Sequence, residues 1–145
     1  MQINLDVITQ EKQVFSDTVA AVTAPASEGE VTILPEHVPL FTKLKPGELR
    51  ILRNGRWQVL AVAGGFMDVA PKGKVTILAD SAVRVSEINL VKAESAKRRA
   101  QKELKNQKLS AKELSIATSN LRRATLELGV ARKYRRRASN PANQV

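Results

Sequence analysis

Cysteine is absent from the chain, and histidine occurs once, as His37. Without cysteine the protein has no disulfide framework, no thiolate-ligated zinc or iron–sulfur site and no thiol nucleophile. A single histidine argues against a histidine metal site and against a Ser–His–Asp triad. We therefore expect a non-enzymatic protein without a metal site.

Long apolar segments are lacking as well. The longest run of apolar residues and glycines extends from Val59 to Met67, whereas a helix that crosses a bilayer needs about 20 residues. The first six residues, Met-Gln-Ile-Asn-Leu-Asp, do not combine a basic start with an apolar stretch, as a signal peptide would. The sequence thus predicts a soluble, cytoplasmic protein.

Charge is distributed unevenly along the 145 residues, whose formal net charge is +10. Residues 1–90 hold nine basic and ten acidic side chains, and residues 91–145 hold fifteen basic and four acidic ones. Glycine and proline fall before residue 90, with Gly129 and Pro141 as the exceptions. This change of composition predicts three segments: a β-sandwich domain over residues 1–86, a helical hairpin over residues 87–138 and a disordered tail over residues 139–145.

The first unit is dense in strand signals. Ile3, Leu5 and Val7 alternate with polar residues, which is the period of a strand with one buried face. Asn54-Gly55 stands between two strand-like segments and favours a type I′ turn, because both central residues of that turn need positive φ. Further turns are expected at residues 71–73 and 27–30. Short strands with turn signals every 8–12 residues or so indicate a sandwich or barrel, so the fold class is α+β with an all-β sandwich first.

The second unit has a helical period. Asn89 is a plausible N-cap for a helix that runs to about Asn106. A second helix opens with the capping box Ser110-Ala-Lys-Glu113. A short link makes the two helices antiparallel. The predicted seam consists of Ala93, Ala96, Ala100 and Leu104 on the first helix, and Leu114, Ala117, Leu121, Ala124, Leu128 and Ala131 on the second. Because alanine buries little area, we expect a hairpin of modest stability whose packing partner can change.

Isolated motifs say little about chemistry. His37 lies in a proline-bracketed loop, where a structural or contact role is the ordinary explanation. Gly64-Gly65 lacks the spacing of a nucleotide-binding loop, and a bulge or close backbone packing explains it better. The basic run at residues 132–137 suits nucleic acid, an anionic membrane or an acidic protein surface. With five aromatic residues in the chain, a base-stacking platform is poorly supported.

Five segments, in order along the chain, resemble the epsilon subunit of F-type ATP synthase. They are Ser27-Glu-Gly-Glu30, Ile33-Leu-Pro-Glu-His-Val-Pro-Leu40, Lys45-Pro-Gly-Glu-Leu-Arg50, Ala63-Gly-Gly-Phe66 and Val75-Thr-Ile-Leu-Ala-Asp80. The resemblance covers about residues 1–135 and includes the layout of a β unit followed by a helical hairpin. It implies a non-catalytic rotor subunit of the central stalk, which couples proton flow to ATP synthesis.

The same resemblance implies partners and contact residues. The sandwich would sit on the gamma subunit and against the ring of c subunits, with Thr9, Glu30 and His37 in loops that face the ring. The hairpin would inhibit ATP hydrolysis when it extends toward an acidic segment of the beta subunits, beside the alpha subunits. The basic residues that would make this contact are Arg122, Arg123, Arg132, Lys133, Arg135, Arg136 and Arg137. The chain would be peripheral on the cytoplasmic face of a bacterial inner membrane, held there through the complex; an organellar location and the choice of proton or sodium stay open.

Some members of the family bind regulatory ATP through Ile-Asp-x-x-Arg-Ala. This chain has Ile88-Asn-Leu-Val-Lys-Ala93, so Asn89 and Lys92 replace the charged acceptor and the planar guanidinium. Residues that could still line such a site are Ile88, Asn89, Lys92, Ala93, Arg99 and Arg122, and no other cofactor is implied. Two alternatives remain: a free-standing basic module that binds nucleic acid, and a small enzyme whose site carries no recognisable cluster.

Overall fold

A computed structural model of the protein describes residues 2–139, and side chains for residues 2–136. The chain divides into two compact units, one ending at Arg84 and the other beginning at Val85. Of the tail predicted over residues 139–145, only Ser139 lies within the described residues, where it ends a helix. The side chain of Arg137 lies outside them as well.

Within the described residues the first unit contains ten strands. They are β1 (Ile3–Ile8), β2 (Gln13–Val19), β3 (Ala21–Ala26), β4 (Gly29–Ile33), β5 (Leu40–Leu44), β6 (Gly47–Arg53), β7 (Arg56–Val62), β8 (Gly65–Ala70), β9 (Lys74–Ala79) and β10 (Ala82–Arg84). Their hydrogen-bonded order is β10-β7-β6-β3-β5-β8-β9-β1-β2, with β4 beside β3. Because β3 and β5 share the single residue pair Ala26–Leu44, the strands form two layers joined at that corner. The predicted sandwich is confirmed.

Local turn chemistry determines the hairpins. Asn54 and Gly55 have φ values of 52° and 73°, as a type I′ turn requires, and they join β6 to β7 in the predicted register. Pro71–Gly73 forms a short 3-10 turn between β8 and β9. The turn before β4 is tighter than predicted: the strand begins at Gly29, so Glu30 is a strand residue.

The core lies between the two layers. Ile3, Leu5 and Val7 are almost fully buried, which confirms the face predicted from their alternation. The strands at the two ends of the hydrogen-bonded order also meet, because the Arg84 guanidinium of β10 donates to the Val14 carbonyl of β2 at 3.1 Å. Beside this contact, Arg53 of β6 forms an ion pair with Asp17 of β2. The Arg53 guanidinium lies over the ring of Phe15, at 5.7 Å from its centroid. The hydrogen bond from the Thr18 amide and that from Arg53 hold the pKa of Asp17 below its usual value.

The second unit contains two helices within its described residues, α1 (Leu90–Leu104) and α2 (Ala111–Ser139). The Asn89 side chain accepts hydrogen bonds from the amides of Val91 and Lys92, so the predicted N-cap is confirmed. The Ser110 and Glu113 side chains accept from each other's backbone amides, each at 3.2 Å, which confirms the capping box. The first helix ends at Leu104, two residues before the predicted end.

The predicted seam is correct at most of its positions. Ala93, Ala100, Ala117, Ala124, Leu128 and Ala131 are buried. Ala96 and Leu114 are exposed, so their assignment to the seam was wrong. Ala96 lies three residues after Ala93 and four before Ala100, and the half-buried Lys97 occupies the inward position of that turn instead. A side chain of lysine can cover apolar surface with its stem while the ammonium stays in water.

Candidate docking surfaces

The connections between strands alternate between two ends of the sandwich. The connections after β3, β5, β7 and β9 meet around one open cavity of about 350 Å3. Its lining includes Ser27, Lys45, Gly64 and Asp80, one residue from each connection. We call this the cavity end. The connections after β4, β6 and β8 lie at the opposite end, since Leu40 pairs with Val69 whereas Leu44 pairs with Gly65.

Thr9 and Glu30 lie at the cavity end. Thr9 follows β1, whose last residue Ile8 pairs with Leu78 near the end of β9. Its hydroxyl accepts hydrogen bonds from the amides of Glu11 and Lys12, so it shapes the turn into β2. Glu30 accepts a hydrogen bond from the Arg50 guanidinium at 2.9 Å across the sandwich surface.

His37 lies at the other end. It is four residues past β4, in a turn closed by a hydrogen bond from its amide to the Leu34 carbonyl. Its ring Nδ1 donates a hydrogen bond to the Val38 carbonyl at 2.6 Å. Glu30 and Ile33 are three positions apart on β4, a rise of about 10 Å, and His37 lies beyond Ile33. The structure therefore does not place His37 beside Thr9 and Glu30.

An aromatic surface on β5, β8 and β9 is absent from the sequence predictions. Phe41, Phe66 and Leu78 are 67%, 44% and 53% exposed, and the two phenyl rings stack. Phe66 and Leu78 are also direct register partners on β8 and β9. The signal that could have found this surface is apolar residues at outward positions of adjacent strands. An exposed patch of apolar side chains of this kind is a candidate interaction surface.

The helical unit carries the predicted basic residues on α2. Arg122 and Arg123 are exposed, and Arg123 donates to the Asn120 carboxamide at 3.5 Å. The Arg132 guanidinium forms an ion pair with the Glu94 carboxylate of α1. Lys133, Arg135 and Arg136 are exposed along the last described turns. Burial of Glu127 raises the pKa of its carboxyl, and the nearby Arg123 partly opposes that shift.

Of the residues that could line an ATP site, Ile88 and Asn89 line a groove at the start of α1. This shallow groove of about 400 Å3 is also lined by Arg135 among others. The carboxamide oxygen of Asn89 is already used as the helix cap. Arg122 does not line this groove, because it lies thirteen residues before Arg135, about 20 Å along α2. Lys92, Ala93 and Arg99 do not line it either.

No helix among the described residues is long and apolar enough to span a membrane. Two family models match consecutive parts of the chain. The model of the ATP synthase delta/epsilon chain β-sandwich domain matches residues 2–85, and that of the delta/epsilon chain long α-helix domain matches residues 86–132.

Relatives and solved structures agree with these matches. An ATP synthase epsilon chain of Herpetosiphon aurantiacus is 45% identical over 137 residues, which are 94% of this chain and 99% of that one. An ATP synthase epsilon chain of Dehalococcoides mccartyi is 41% identical over 135 residues, 93% and 96% of the two chains. A chain in the cryo-EM structure of the Euglena gracilis mitochondrial ATP synthase, comprising OSCP, F1 and c-ring, has a TM-score of 0.69 at 26% identity. The match covers 89% of this chain and 81% of that one.

Proposed function

The chain belongs to the ATP synthase delta/epsilon chain family, and from this premise we propose how its two units act. It is a non-catalytic subunit of the central stalk of ATP synthase. The β-sandwich unit anchors the chain in the rotor, and the helical unit inhibits ATP hydrolysis. The two roles rest on different surfaces and are tested separately.

The sandwich docks on the gamma subunit through the aromatic surface of Phe41, Phe66 and Leu78. This proposal is supported by the exposure of all three side chains and by the stacking of the two rings. Buried aromatic anchors supply much of the free energy of protein interfaces, and three neighbouring apolar side chains on rigid strands form a prearranged anchor.

The cavity end faces the ring of c subunits. The resemblance to the family implied Thr9, Glu30 and His37 for this contact, and the register of the strands supports the first two, which lie at one end of the sandwich. We assign His37 to the opposite end, in the connection that leads into Phe41. Through gamma and the c ring the chain is held on the cytoplasmic face of the bacterial inner membrane.

Single cysteines test this assignment, because the natural chain has none. Thr9→Cys, Glu30→Cys and His37→Cys variants are built into the complex and exposed to an oxidant with cysteines in the polar loops of the c subunits. We expect disulfides from the first two positions and none from His37. A crosslink from His37 alone would overturn the orientation.

The helical unit inhibits hydrolysis in an extended state, in which the basic face of α2 contacts an acidic segment of the beta subunits. The observation that carries this proposal is that α2 presents exposed arginines while its buried stripe consists mainly of alanine. An exposed ion pair contributes about 0.2–1 kcal/mol. Several together approach the ~5.5 kcal/mol that moves an equilibrium from 1:99 to 99:1.

Catalytic heads stripped of this subunit provide the decisive test. ATP hydrolysis is measured after adding back either the full chain or a version that ends at Ser86. We expect both to bind and only the full chain to inhibit. If both bind and neither inhibits, the inhibitory role fails and the anchoring role stands.

Charge reversal identifies the contact. Arg122→Glu with Arg123→Glu should relieve inhibition, because the partner surface is acidic. Arg98→Glu with Arg99→Glu is the matched control, since it changes two adjacent exposed arginines on α1. Unchanged inhibition in the α2 variant, or equal relief in both variants, would count against the proposed contact.

A further inference from the structure

An ion pair joins the first turns of α1 to the last turns of α2. The Arg132 guanidinium donates to the Glu94 carboxylate, with Nη2 and Oε1 2.7 Å apart. The two residues are 38 positions apart, and each directly follows a buried alanine, Ala131 or Ala93. Because their backbones are fixed by those buried neighbours, this pair forms only while α1 and α2 are packed side by side.

Arg132 also belongs to the basic surface that we assign to the acidic partner. When the two helices are packed together, the Arg132 guanidinium pairs with the Glu94 carboxylate. When the helical unit is extended, the same guanidinium pairs with a carboxylate of the acidic partner. The two carboxylates therefore compete for the same charge. Removing Glu94 would leave the arginine available without changing the basic surface itself.

We infer that Glu94 is an internal competitor for the acidic partner, and that its pair with Arg132 is a latch that holds the helical unit in its non-inhibitory state. The inference rests on the proposed inhibitory function. The latch matters because the seam itself contributes little. Five of its six buried residues bury only a methyl group, namely Ala93, Ala100, Ala117, Ala124 and Ala131.

The size of the effect follows from the exposure of the pair. The Arg132 and Glu94 side chains are 53% and 46% exposed, so the pair is screened by water. Its loss should shift the ratio of open to packed helices about two- to fivefold. A shift of this size is measurable and leaves the folded helices intact.

The test uses the full chain with Glu94→Gln, and Glu103→Gln as the matched control. Glu103 is an exposed glutamate on the same helix, and its side chain has no ion pair within the described residues. Spin labels at Arg98→Cys and Thr125→Cys report the distance between the helices, and no natural cysteine competes for the label. ATP hydrolysis by the complex reconstituted with each variant is the second readout.

We expect Glu94→Gln to increase the open population and to deepen inhibition, while Glu103→Gln changes neither. The exchange Glu94→Arg with Arg132→Glu should restore the packed population, yet inhibit less than the natural chain because residue 132 then repels the acidic partner. Unchanged distances in Glu94→Gln, or an exchange variant as open as Glu94→Gln, would overturn the latch. If the version ending at Ser86 inhibits like the full chain, the proposed function fails, and the distances still decide whether the pair is a latch.

Discussion

Phe41 of β5 and Phe66 of β8 stack with their ring centroids 5.6 Å apart and an interplanar angle of 16°, on the outer face of the sandwich. Stacked rings in a core would be explained by packing alone. Here each ring has a large exposed fraction, so the pair stabilises the sandwich less than a buried pair would. Its arrangement is better explained by a partner that covers it.

The first prediction concerns this pair. Phe41→Ala and Phe66→Ala should each weaken binding of the chain to heads depleted of it by about tenfold or more, as expected for a central aromatic anchor. The unfolding free energy should fall by no more than about 1 kcal/mol. Binding is measured by titration of the depleted heads, and unfolding by urea.

Trp57→Ala is the control for the aromatic pair. Trp57 is also about half exposed, but it lies on β7 in the other layer of the sandwich. Trp57→Ala should change the affinity for the depleted heads by less than about twofold relative to the natural chain, because it is a surface substitution outside the interface. Equal losses at Trp57 and Phe66 would mean that the binding surface is not the one proposed.

The second prediction concerns Gly65, the first residue of β8. Its φ is +133°, and a Cβ there would collide with the Leu78 carbonyl. Gly29 is a matched control because its φ is +132° and a Cβ would meet nothing within 4 Å. Gly29→Ala should cost about 1–3 kcal/mol of unfolding free energy from strain alone, and Gly65→Ala should cost clearly more. Urea unfolding followed through Trp57 fluorescence measures both; equal costs would mean that strain, not the collision, matters at Gly65.

Short-range chemistry made much of this fold predictable. Asn54-Gly55, Asn89 and the Ser110–Glu113 box act within a few residues, so the sequence specifies their hydrogen bonds directly. The pairing of β1 with β9 and the ion pair of Asp17 with Arg53 join distant parts of the chain, and no local pattern encodes them.

The candidate sites were predictable to a different degree. The basic residues of α2 were found by composition, because charge is visible in a sequence. That Arg132 is engaged by Glu94 depends on how two helices pack, which composition does not reveal. The separation of His37 from Glu30 likewise depends on strand direction, so the resemblance grouped residues that the register of β4 and β5 holds apart.

The third prediction concerns Glu127. Burial raises the pKa of its carboxyl above the ordinary value of 4.5. The folded state therefore binds this proton more tightly than the unfolded state, and stability falls as the pH rises from about 4.5 through the raised pKa. Glu127→Gln should make the helices more stable than the natural chain at pH 7, with the difference shrinking below pH 4.5 or so. Thermal unfolding by far-UV circular dichroism at several pH values measures this, with Glu103→Gln at an exposed position of α1 as the control variant.

The fourth prediction concerns the alanine stripe itself. Ala124 is buried on α2, and its neighbour Thr125 is exposed. Ala124→Leu adds three carbons at a buried position, and it should cost about 1–3 kcal/mol of the unfolding free energy of the helices. Thr125→Leu adds comparable bulk in water and should change that free energy by less than about 0.5 kcal/mol. If both variants have the same unfolding free energy, the small side chains do not determine the stability of the packed α1 and α2 helices. If Ala124→Leu destabilises the helices and the complex that contains it hydrolyses ATP more slowly, the close packing of these alanines keeps the basic face of α2 away from the catalytic subunits.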